Sequence, residues 1–278
     1  MTGRAKTAIR AVLQQFGVDI RRYPPADDIT FSRVGILSEN NITLVIDVGA
    51  NTGQYARKLR SAGYTGRIVS FEPLSEAFTE LSWHAAPDNA WECRQLALGE
   101  VDREAKINVA GNSLSSSILP MCNLHLATAP DSAYVGTENI TMVRLDTVRS
   151  ELIRNNDVVC LKLDVQGYEM KVLSGATSTL PRTRVLEIEL SLAALYEGQP
   201  SFCQMIDYLD GAGFDLVSLE TVFKDPQSGR ILQLDGIFVR RFHPSGTARA
   251  CAKGGTRPPL TVDSDLSAES KEAYEFGD

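Results

Sequence analysis

Short apolar runs alternate with amphipathic segments of helical length from Thr43 to about residue 242. Parallel strands that are covered on both faces appear as such near-continuous apolar runs, so the alternation is typical of an α/β sheet with crossover helices. The pattern predicts strands over 43–48, 67–71, 92–97, 158–164, 183–190, 214–220 and 232–240. It predicts helices over 53–62, 75–85, 168–178 and 201–211.

The connection before the last strand is rich in turn-forming residues, from Asp225 to Gly229. A short connection of this kind joins neighbouring antiparallel strands, whereas a parallel crossover needs a longer one. The sequence therefore predicts one doubly wound α/β domain over 43–243, with its last strand antiparallel.

The segment between the third and fourth predicted strands departs from simple alternation. Two short extra strands are predicted over 105–109 and 140–143, and residues 110–139 between them are rich in Ser, Asn, Ala and Gly. A connection of this length inside a compact domain usually binds ligands, closes over a site or is disordered. We interpret 110–139 as an inserted substrate loop.

The two ends of the chain have their own patterns. Residues 1–42 are predicted to form an amphipathic helix over 4–16 and a lead-in, with Arg4, Lys6 and Arg10 off the apolar face of the helix. Such a helix either packs on the main domain or rests on an anionic membrane surface, a peripheral contact at the inner face of the cell membrane. The acidic segment 244–278 is predicted to be disordered.

Charge and cysteine content narrow the partners and the compartment. The 278-residue chain has 28 Lys and Arg against 35 Asp and Glu, a net charge of −7, which disfavours nucleic acid as a partner. The five cysteines form no C-x-x-C pair, and no apolar stretch approaches the roughly 20 residues of a spanning helix. We expect a cytoplasmic protein; its oligomeric state is left open.

A cofactor site is predicted where the first strand ends. Asp47 precedes a turn that contains Gly49, Asn51 and Gly53 and leads into a helix, so the backbone can approach a ligand closely. A carboxylate here repels a pyrophosphate but attracts a sulfonium cofactor with an ammonium group. Glu72 ends the second strand and can accept both hydroxyls of a ribose. The pair indicates S-adenosylmethionine, and an NAD-dependent oxidoreductase is the alternative.

Candidate catalytic residues lie at the end of the fourth and fifth predicted strands. Lys162 and Asp164 point to the same side of the sheet, and Asp164 is the first choice as base or substrate anchor. Glu169 opens the next helix and is a candidate for substrate binding, although the helix dipole alone favours an acid there. A buried strand seldom carries two carboxylates without a use, so Glu189, rather than Glu187, is expected to face the acceptor.

The inserted loop supplies further polar groups. Asn112, Ser113 and Ser116 offer amides and hydroxyls suited to binding a sugar, and His125 could move over the site. A Mg²⁺ ion held by Asp164 and other carboxylates would acidify a sugar hydroxyl. The sequence shows no dedicated ligand cluster, so a metal is possible in principle but not favoured.

Four runs carry a family resemblance, in this order: Asp47-Val-Gly-Ala-Asn-Thr-Gly-Gln-Tyr55, Phe71-Glu72-Pro73, Ala97-Leu98-Gly99 and Leu161-Lys162-Leu163-Asp164-Val165-Gln166-Gly167-Tyr168-Glu169. Together they resemble the FkbM-type S-adenosylmethionine-dependent methyltransferases. The resemblance implies a seven-stranded, Rossmann-like class I methyltransferase fold and O-methylation of hydroxyls on sugars, polyketides or other natural products. It also implies cofactor contacts, from the methionine part to the ribose and the adenine: Gly49, Asn51, Gly53, Glu72 and Ala97.

Two further runs, over 195–199 and 112–117, resemble actinobacterial members of this family that methylate sugars of cell-envelope glycolipids. We therefore expect an O-methyltransferase that acts on a hydroxyl of a glycolipid or another glycosylated metabolite. A cofactor-binding protein without catalytic activity is the alternative from outside enzymology.

Overall fold

The computed structural model describes residues 29–241. The strands are β1 Leu44–Val48, β2 Arg67–Phe71, β3 Trp91–Arg94, β4 Ala97–Leu98, β5 Arg103–Ala110, β6 Tyr134–Val143, β7 Val159–Leu163, β8 Thr183–Ser191, β9 Phe214–Lys224 and β10 Ile231–Arg240. The α-helices are α1 Ile29–Glu39, α2 Gln54–Ser61, α3 Ser75–Ala85, α4 Asn123–Thr128, α5 Leu145–Leu152, α6 Glu169–Ser174 and α7 Phe202–Gly211. The predicted helix over 4–16 and the predicted tail over 244–278 lie outside the described residues.

The main sheet has seven strands in the order β3-β2-β1-β7-β8-β10-β9. The pairs β3–β2, β2–β1, β1–β7 and β7–β8 are parallel, while β10 is antiparallel to both β8 and β9. This confirms the predicted doubly wound seven-stranded sheet with its antiparallel last strand. The strand order reverses between β1 and β7, and ligands of open α/β sheets bind at the carboxyl ends of strands beside such a reversal.

The two central strands are buried along their whole length. Every residue of β1 and β7 is buried, because helices cover both faces of the sheet. Asp47 on β1 and Lys162 on β7 interrupt these otherwise apolar strands, and the register pairs them with each other. Two charged groups in the most buried part of the sheet mark the region where a functional site is to be sought.

The inserted segment has more regular structure than its composition indicates. The strands β5 and β6, at the two ends of this segment, belong to a second sheet of order β4-β6-β5. Strand β6 begins at Tyr134 rather than near residue 140. Residues 110–139 also include α4, so a loop was predicted where part of the chain is helical or extended. Ser and Asn side chains bond to one another here: Asn112 donates to Ser115 and Ser132 over 3.1 and 3.0 Å.

Sequence reasoning did not predict α1 and α5. In α1, Leu37 packs into the core. Arg33 is also buried, and an ion pair with Glu187 compensates its charge. Helix α5 has Leu145 and Leu152 as its buried residues and is only two turns long, too short for a clear 3.6-residue period.

Gly175, which follows α6, permits close packing against the second sheet. A Cβ atom at this position would lie 1.9 Å from the backbone oxygen of Gly99. Gly175→Ala is therefore expected to lower the free energy of unfolding by about 1–3 kcal/mol, the usual cost of overpacking a buried site. Urea denaturation measures this change. Gly211→Ala is the matched control, since a Cβ there meets open space, and an equal loss in both variants would contradict the packing argument.

Candidate active site

Charged side chains cross the main sheet at the carboxyl ends of its parallel strands. The strand register aligns them in two lines, which are Asp47–Lys162–Glu187 on β1, β7 and β8, and Glu189–Asp235–Glu220 on β8, β10 and β9. Like charges placed side by side repel, so these residues require cations and hydrogen bonds to be held together. Arg33 of α1 and Lys162 supply the positive charge.

Lys162 bridges two carboxylates. Its Nζ atom lies 3.2 Å from Asp47 Oδ1 and 3.4 Å from Asp164 Oδ2. Burial alone would lower the pKa of Lys162, but the charges of Asp164 and Asp47 outweigh burial and raise it. Lys162 therefore stays protonated and balances charge at the site instead of accepting a proton.

Asp47 lies behind the site. Its side chain is fully buried and also accepts a hydrogen bond from Ser70 Oγ at 3.2 Å. Burial raises the pKa of Asp47, and the nearby charge of Lys162 opposes that rise. The sequence placed Asp47 in contact with the cofactor; that contact stays a prediction, and the observed partner is Lys162.

A first cleft opens at the ends of β1 and β2, with about 650 Å³ of open space. Its apolar wall includes Phe71, Pro73, Leu96, Leu98, Ile107 and Tyr168. Two carboxylates, Glu72 and Asp164, also line it, and no Lys, Arg or His is found among its described lining residues. The cleft therefore combines apolar residues with neutral polar ones, and the charged groups among its described lining residues are both acidic.

Glu72 is fixed by the backbone on both of its oxygens. Asn51 N donates to Oε2 at 2.8 Å, and Leu74 N donates to Oε1 at 2.9 Å. Burial raises the pKa of Glu72 to about 7, although the two backbone hydrogen bonds favour its charged form. Each carboxylate oxygen retains a lone pair, so the group can accept two further hydrogen bonds from a ligand.

The turn after β1 lets the backbone approach the end of β7. Gly49 has a φ of 76°, and a Cβ there would lie 1.9 Å from the backbone oxygen of Asp164. Asn51 is also left-handed, with a φ of 46°, and its Nδ2 donates to Ser113 Oγ at 3.1 Å. Gly53 has a different role, because a Cβ there would collide with Trp91 behind the turn.

The remaining predicted cofactor and substrate residues divide into two groups. Ala97, Ser113 and Ser116 line the first cleft together with Gly49 and Asn51. Asn112 instead holds its own loop through Ser115 and Ser132.

Glu169 and His125 are engaged with the protein itself. Glu169 Oε1 accepts hydrogen bonds from the backbone of Val165 and Gly167 at 3.0 and 3.1 Å. His125 is buried against the ring of Tyr196, and burial lowers its pKa. The substrate contact of Glu169 stays a prediction, and what the structure shows is a carboxylate that supports the turn after β7.

A second cleft, with about 1120 Å³ of open space, adjoins the first. Its walls come from α1, α2 and β9, and it shares Gly49, Asn51, Leu114 and Asp164 with the first cleft. Asp164 therefore stands where two separate ligands would meet. The sequence singled out this residue, but it gave no indication of the second cleft.

Gln166 connects the candidate catalytic carboxylates. Its Nε2 atom donates to Asp164 Oδ1 at 2.7 Å and to Glu189 Oε2 at 3.2 Å. Its Oε1 atom lies 2.7 Å from the hydroxyl of Tyr196, which donates to it. The amide is thereby oriented with its donors towards the two carboxylates. Sequence reasoning missed this function, although Gln166 lies inside the Asp-Val-Gln-Gly run.

Arg33, Glu220 and Asp235 were also missed. Arg33 Nη2 contacts Glu187 Oε1 at 2.6 Å and Glu220 Oε2 at 3.0 Å. Glu189 was identified because it is an acidic residue within an apolar strand, and Asp235 has the same property. No signal could have identified Arg33, because α1 itself was not predicted.

Two further properties concern the described residues only. Between residues 29 and 241, no group of three or more His, Cys, Asp or Glu is arranged to hold a metal ion. In the same range, no helix has both the length and the apolar character needed to cross a membrane.

Glu189 is expected to make stability depend on pH. Burial, followed by the charges of Asp164 and Glu169, raises its pKa well above the ordinary value. The native state therefore retains a proton that the unfolded chain releases, and stability falls as pH rises above the ordinary Glu pKa. Glu189→Gln removes this loss and still accepts a hydrogen bond from Gln166. We expect the variant to exceed wild type in unfolding free energy near pH 8.

Urea denaturation near pH 8 and near pH 4 measures this difference, which should shrink at the acid end. The exposed Glu80 provides the control substitution Glu80→Gln. A gain for Glu189→Gln that is equal at both pH values would contradict a raised pKa.

Comparison with known proteins identifies relatives of this chain. The family model described as the methyltransferase FkbM domain matches residues 47–216. The 2-O-methyltransferase NoeI of Sinorhizobium fredii is 28% identical over 216 residues, which cover 74% of this chain and 86% of that protein.

Solved methyltransferase structures are more distant. The magnesium protoporphyrin IX methyltransferase ChlM from Synechocystis PCC 6803, solved with bound SAM, is 14% identical, with a TM-score of 0.43 and coverage of 85% of this chain and 97% of that one. An rRNA methylase from Streptococcus thermophilus is 13% identical, with a TM-score of 0.39 and coverage of 76% and 95%. The match over 47–216 shows the family: this chain belongs to the FkbM methyltransferases.

Proposed function

We propose that this methyltransferase uses S-adenosylmethionine to methylate a hydroxyl, on a sugar of a glycolipid or of another glycosylated metabolite. The observation that carries the cofactor assignment is the first cleft, with Glu72 and Asp164 as its charged groups. A pyrophosphate needs cations or free backbone amides, whereas a ligand with sulfonium and ammonium charges is favoured by carboxylates. The cleft therefore supports S-adenosylmethionine over NAD.

The residues of the first cleft fit the parts of this cofactor. Glu72 would accept the two ribose hydroxyls, the apolar wall around Leu98 and Ala97 would hold the adenine, and the Gly49–Asn51 turn would hold the methionine part. When bound, the cofactor supplies an electrophilic methyl group on a positively charged sulfur. The protein aligns this group with the acceptor oxygen, and alignment of two reactants is worth an effective molarity of about 10⁵–10⁸ M.

Asp164 is placed to act on the acceptor. Lys162 contacts its Oδ2 and Gln166 donates to its Oδ1, yet 37% of its side chain is exposed at the junction of the clefts. The contacts with Lys162 and Gln166 hold the carboxylate of Asp164 in one orientation, with lone pairs left to accept a hydrogen bond. We assign Asp164 to hold the acceptor hydroxyl and to receive its proton as the new O–CH₃ bond forms.

Glu189 and Lys162 support this role without touching the methyl group. Lys162 stays charged and contacts Asp164, while burial and the charges of Asp164 and Glu169 raise the pKa of Glu189. A raised pKa favours the protonated form of Glu189, which lessens the repulsion between its carboxyl group and Asp164.

An oxygen acceptor is supported by the name of the Sinorhizobium fredii relative, a 2-O-methyltransferase. The inserted segment lines both clefts, through Ser113 and Ser116 in the first and through Leu114 in both. The proposal further places the enzyme in the cytoplasm, with a glycoside as its partner and no nucleic acid. A bound Mg²⁺ is not part of it.

Calorimetric titration with S-adenosylmethionine tests the cofactor. Glu72→Gln and Glu72→Ala are expected to weaken binding by tenfold or more, roughly the loss of one charged hydrogen bond. Glu80→Ala, an exposed change of the same kind, should bind like wild type. Binding of NADH in place of S-adenosylmethionine would overturn the assignment. Tight cofactor binding without turnover on any glycoside would instead favour the inactive binding protein.

The sequence of the N-terminal segment supports a peripheral membrane contact. Charge reversal at Arg4, Lys6 and Arg10 should abolish sedimentation of the full chain with vesicles of phosphatidylcholine and phosphatidylglycerol, because basic residues near anionic lipid attract it electrostatically. Binding of S-adenosylmethionine should stay unchanged. Equal sedimentation of both forms would show that the segment does not recruit the enzyme to membranes.

A further inference from the structure

Part of the second cleft comes from residues outside the span that the family model matches. Arg33 of α1, Glu220, Thr221 and Val222 of β9, and Asp235 of β10 all line it, and none falls within 47–216. The matched span supplies the other lining residues, which include Asp164, Lys162 and the exposed Lys58. The family core and the flanking segments of this chain therefore enclose this space together.

The buried cations of the second cleft are already neutralised. Arg33 binds Glu187 and Glu220 and lies 3.8 Å from Asp235, while Lys162 lies between Asp47 and Asp164. An anionic ligand would have to displace one of these partners and would face the remaining carboxylates. A phosphate or a uronate is therefore disfavoured at the inner end of the cleft.

Three carboxylates keep part of their surface open towards this space. The side chains of Asp164, Glu220 and Asp235 are 37%, 29% and 23% exposed, whereas Arg33 behind them is 6% exposed. Each carboxylate is held from behind by a cation and retains lone pairs in front. This arrangement accepts hydrogen bonds from several hydroxyls at once.

Apolar side chains complete the cleft. Leu114 of the inserted segment and Val222 of β9 line it and are 57% and 44% exposed. Together with the fixed carboxylates, they present an apolar surface beside a set of hydrogen-bond acceptors. A pyranose ring has the complementary pattern, with C–H groups on its faces and hydroxyls around its edge.

We propose that the second cleft binds a polyhydroxylated ring of the acceptor that carries no anionic group, and that Glu220 and Asp235 determine its specificity by accepting hydrogen bonds from ring hydroxyls. This inference rests on the proposed function, since the ring would present one hydroxyl to Asp164 at the junction of the clefts. The backing of Glu220 by Arg33 gives α1 a part in substrate selection.

Saturation-transfer NMR with the full chain and S-adenosylhomocysteine tests the proposal. The probes are the methyl glycosides of glucose, galactose and mannose, and the methyl glycoside of glucuronic acid as anion. We expect a neutral glycoside to bind at least about tenfold more tightly than the glucuronide. Glu220→Gln should weaken its binding by about tenfold, the loss of one hydrogen bond to a charged group. Burial raises the pKa of Asp235 to about 8, so Asp235→Asn should weaken binding by roughly threefold, the loss of a hydrogen bond to a neutral group.

Glu80→Gln is the matched surface control and should bind the neutral glycoside like wild type. Thermal melting and titration with S-adenosylmethionine accompany every variant, so a folding defect in Asp235→Asn leaves Glu220→Gln to decide. Equal binding of neutral and anionic glycosides, undiminished binding in a folded variant, or no binding of any neutral glycoside overturns the acceptor site. Loss of S-adenosylmethionine binding in wild type would instead overturn the proposed function.

Discussion

The buried ion pair between Asp47 and Lys162 is the constraint around which the site is arranged. Both residues occupy central strands that are buried on both faces, where an unpaired charge would cost several kcal/mol. The register of β1 and β7 places the two residues side by side. Lys162 also contacts Asp164, which directly follows β7. The groups that define the reaction centre are thus tied to the hydrogen-bonding register of the sheet itself.

A site built on strand ends gains rigidity, and the loops around it complete it. Gly49 lets the first turn approach Asp164, and Gln166 orients the same carboxylate through the hydroxyl of Tyr196. Since Tyr196 follows β8 in the chain, the turn after β7 and the segment after β8 are coupled through one amide. Orientation of an acceptor carboxylate by fixed partners is the form of preorganisation that lowers the barrier of a displacement reaction.

The sheet and the cofactor cleft were largely predictable from the sequence, because apolar runs and glycine turns are local signals. Glu72 and Asp164 could be found in this way, since each follows a strand directly. The second cleft could not, because Arg33, Glu220 and Asp235 come from distant parts of the chain. Asn112 shows the opposite limit: a polar loop residue suggested sugar binding, but its amide bonds to serines of its own loop.

The two clefts differ in how much of their lining comes from the part of the chain that matches the family model. The cofactor cleft uses strand ends within the matched span 47–216, whereas α1, β9 and β10 add residues from outside that span to the second cleft. Changes in those flanking elements can alter the acceptor without disturbing the ion pair of Asp47 and Lys162. One fold can carry different functional sites, so relatives with the same sheet are free to methylate different molecules.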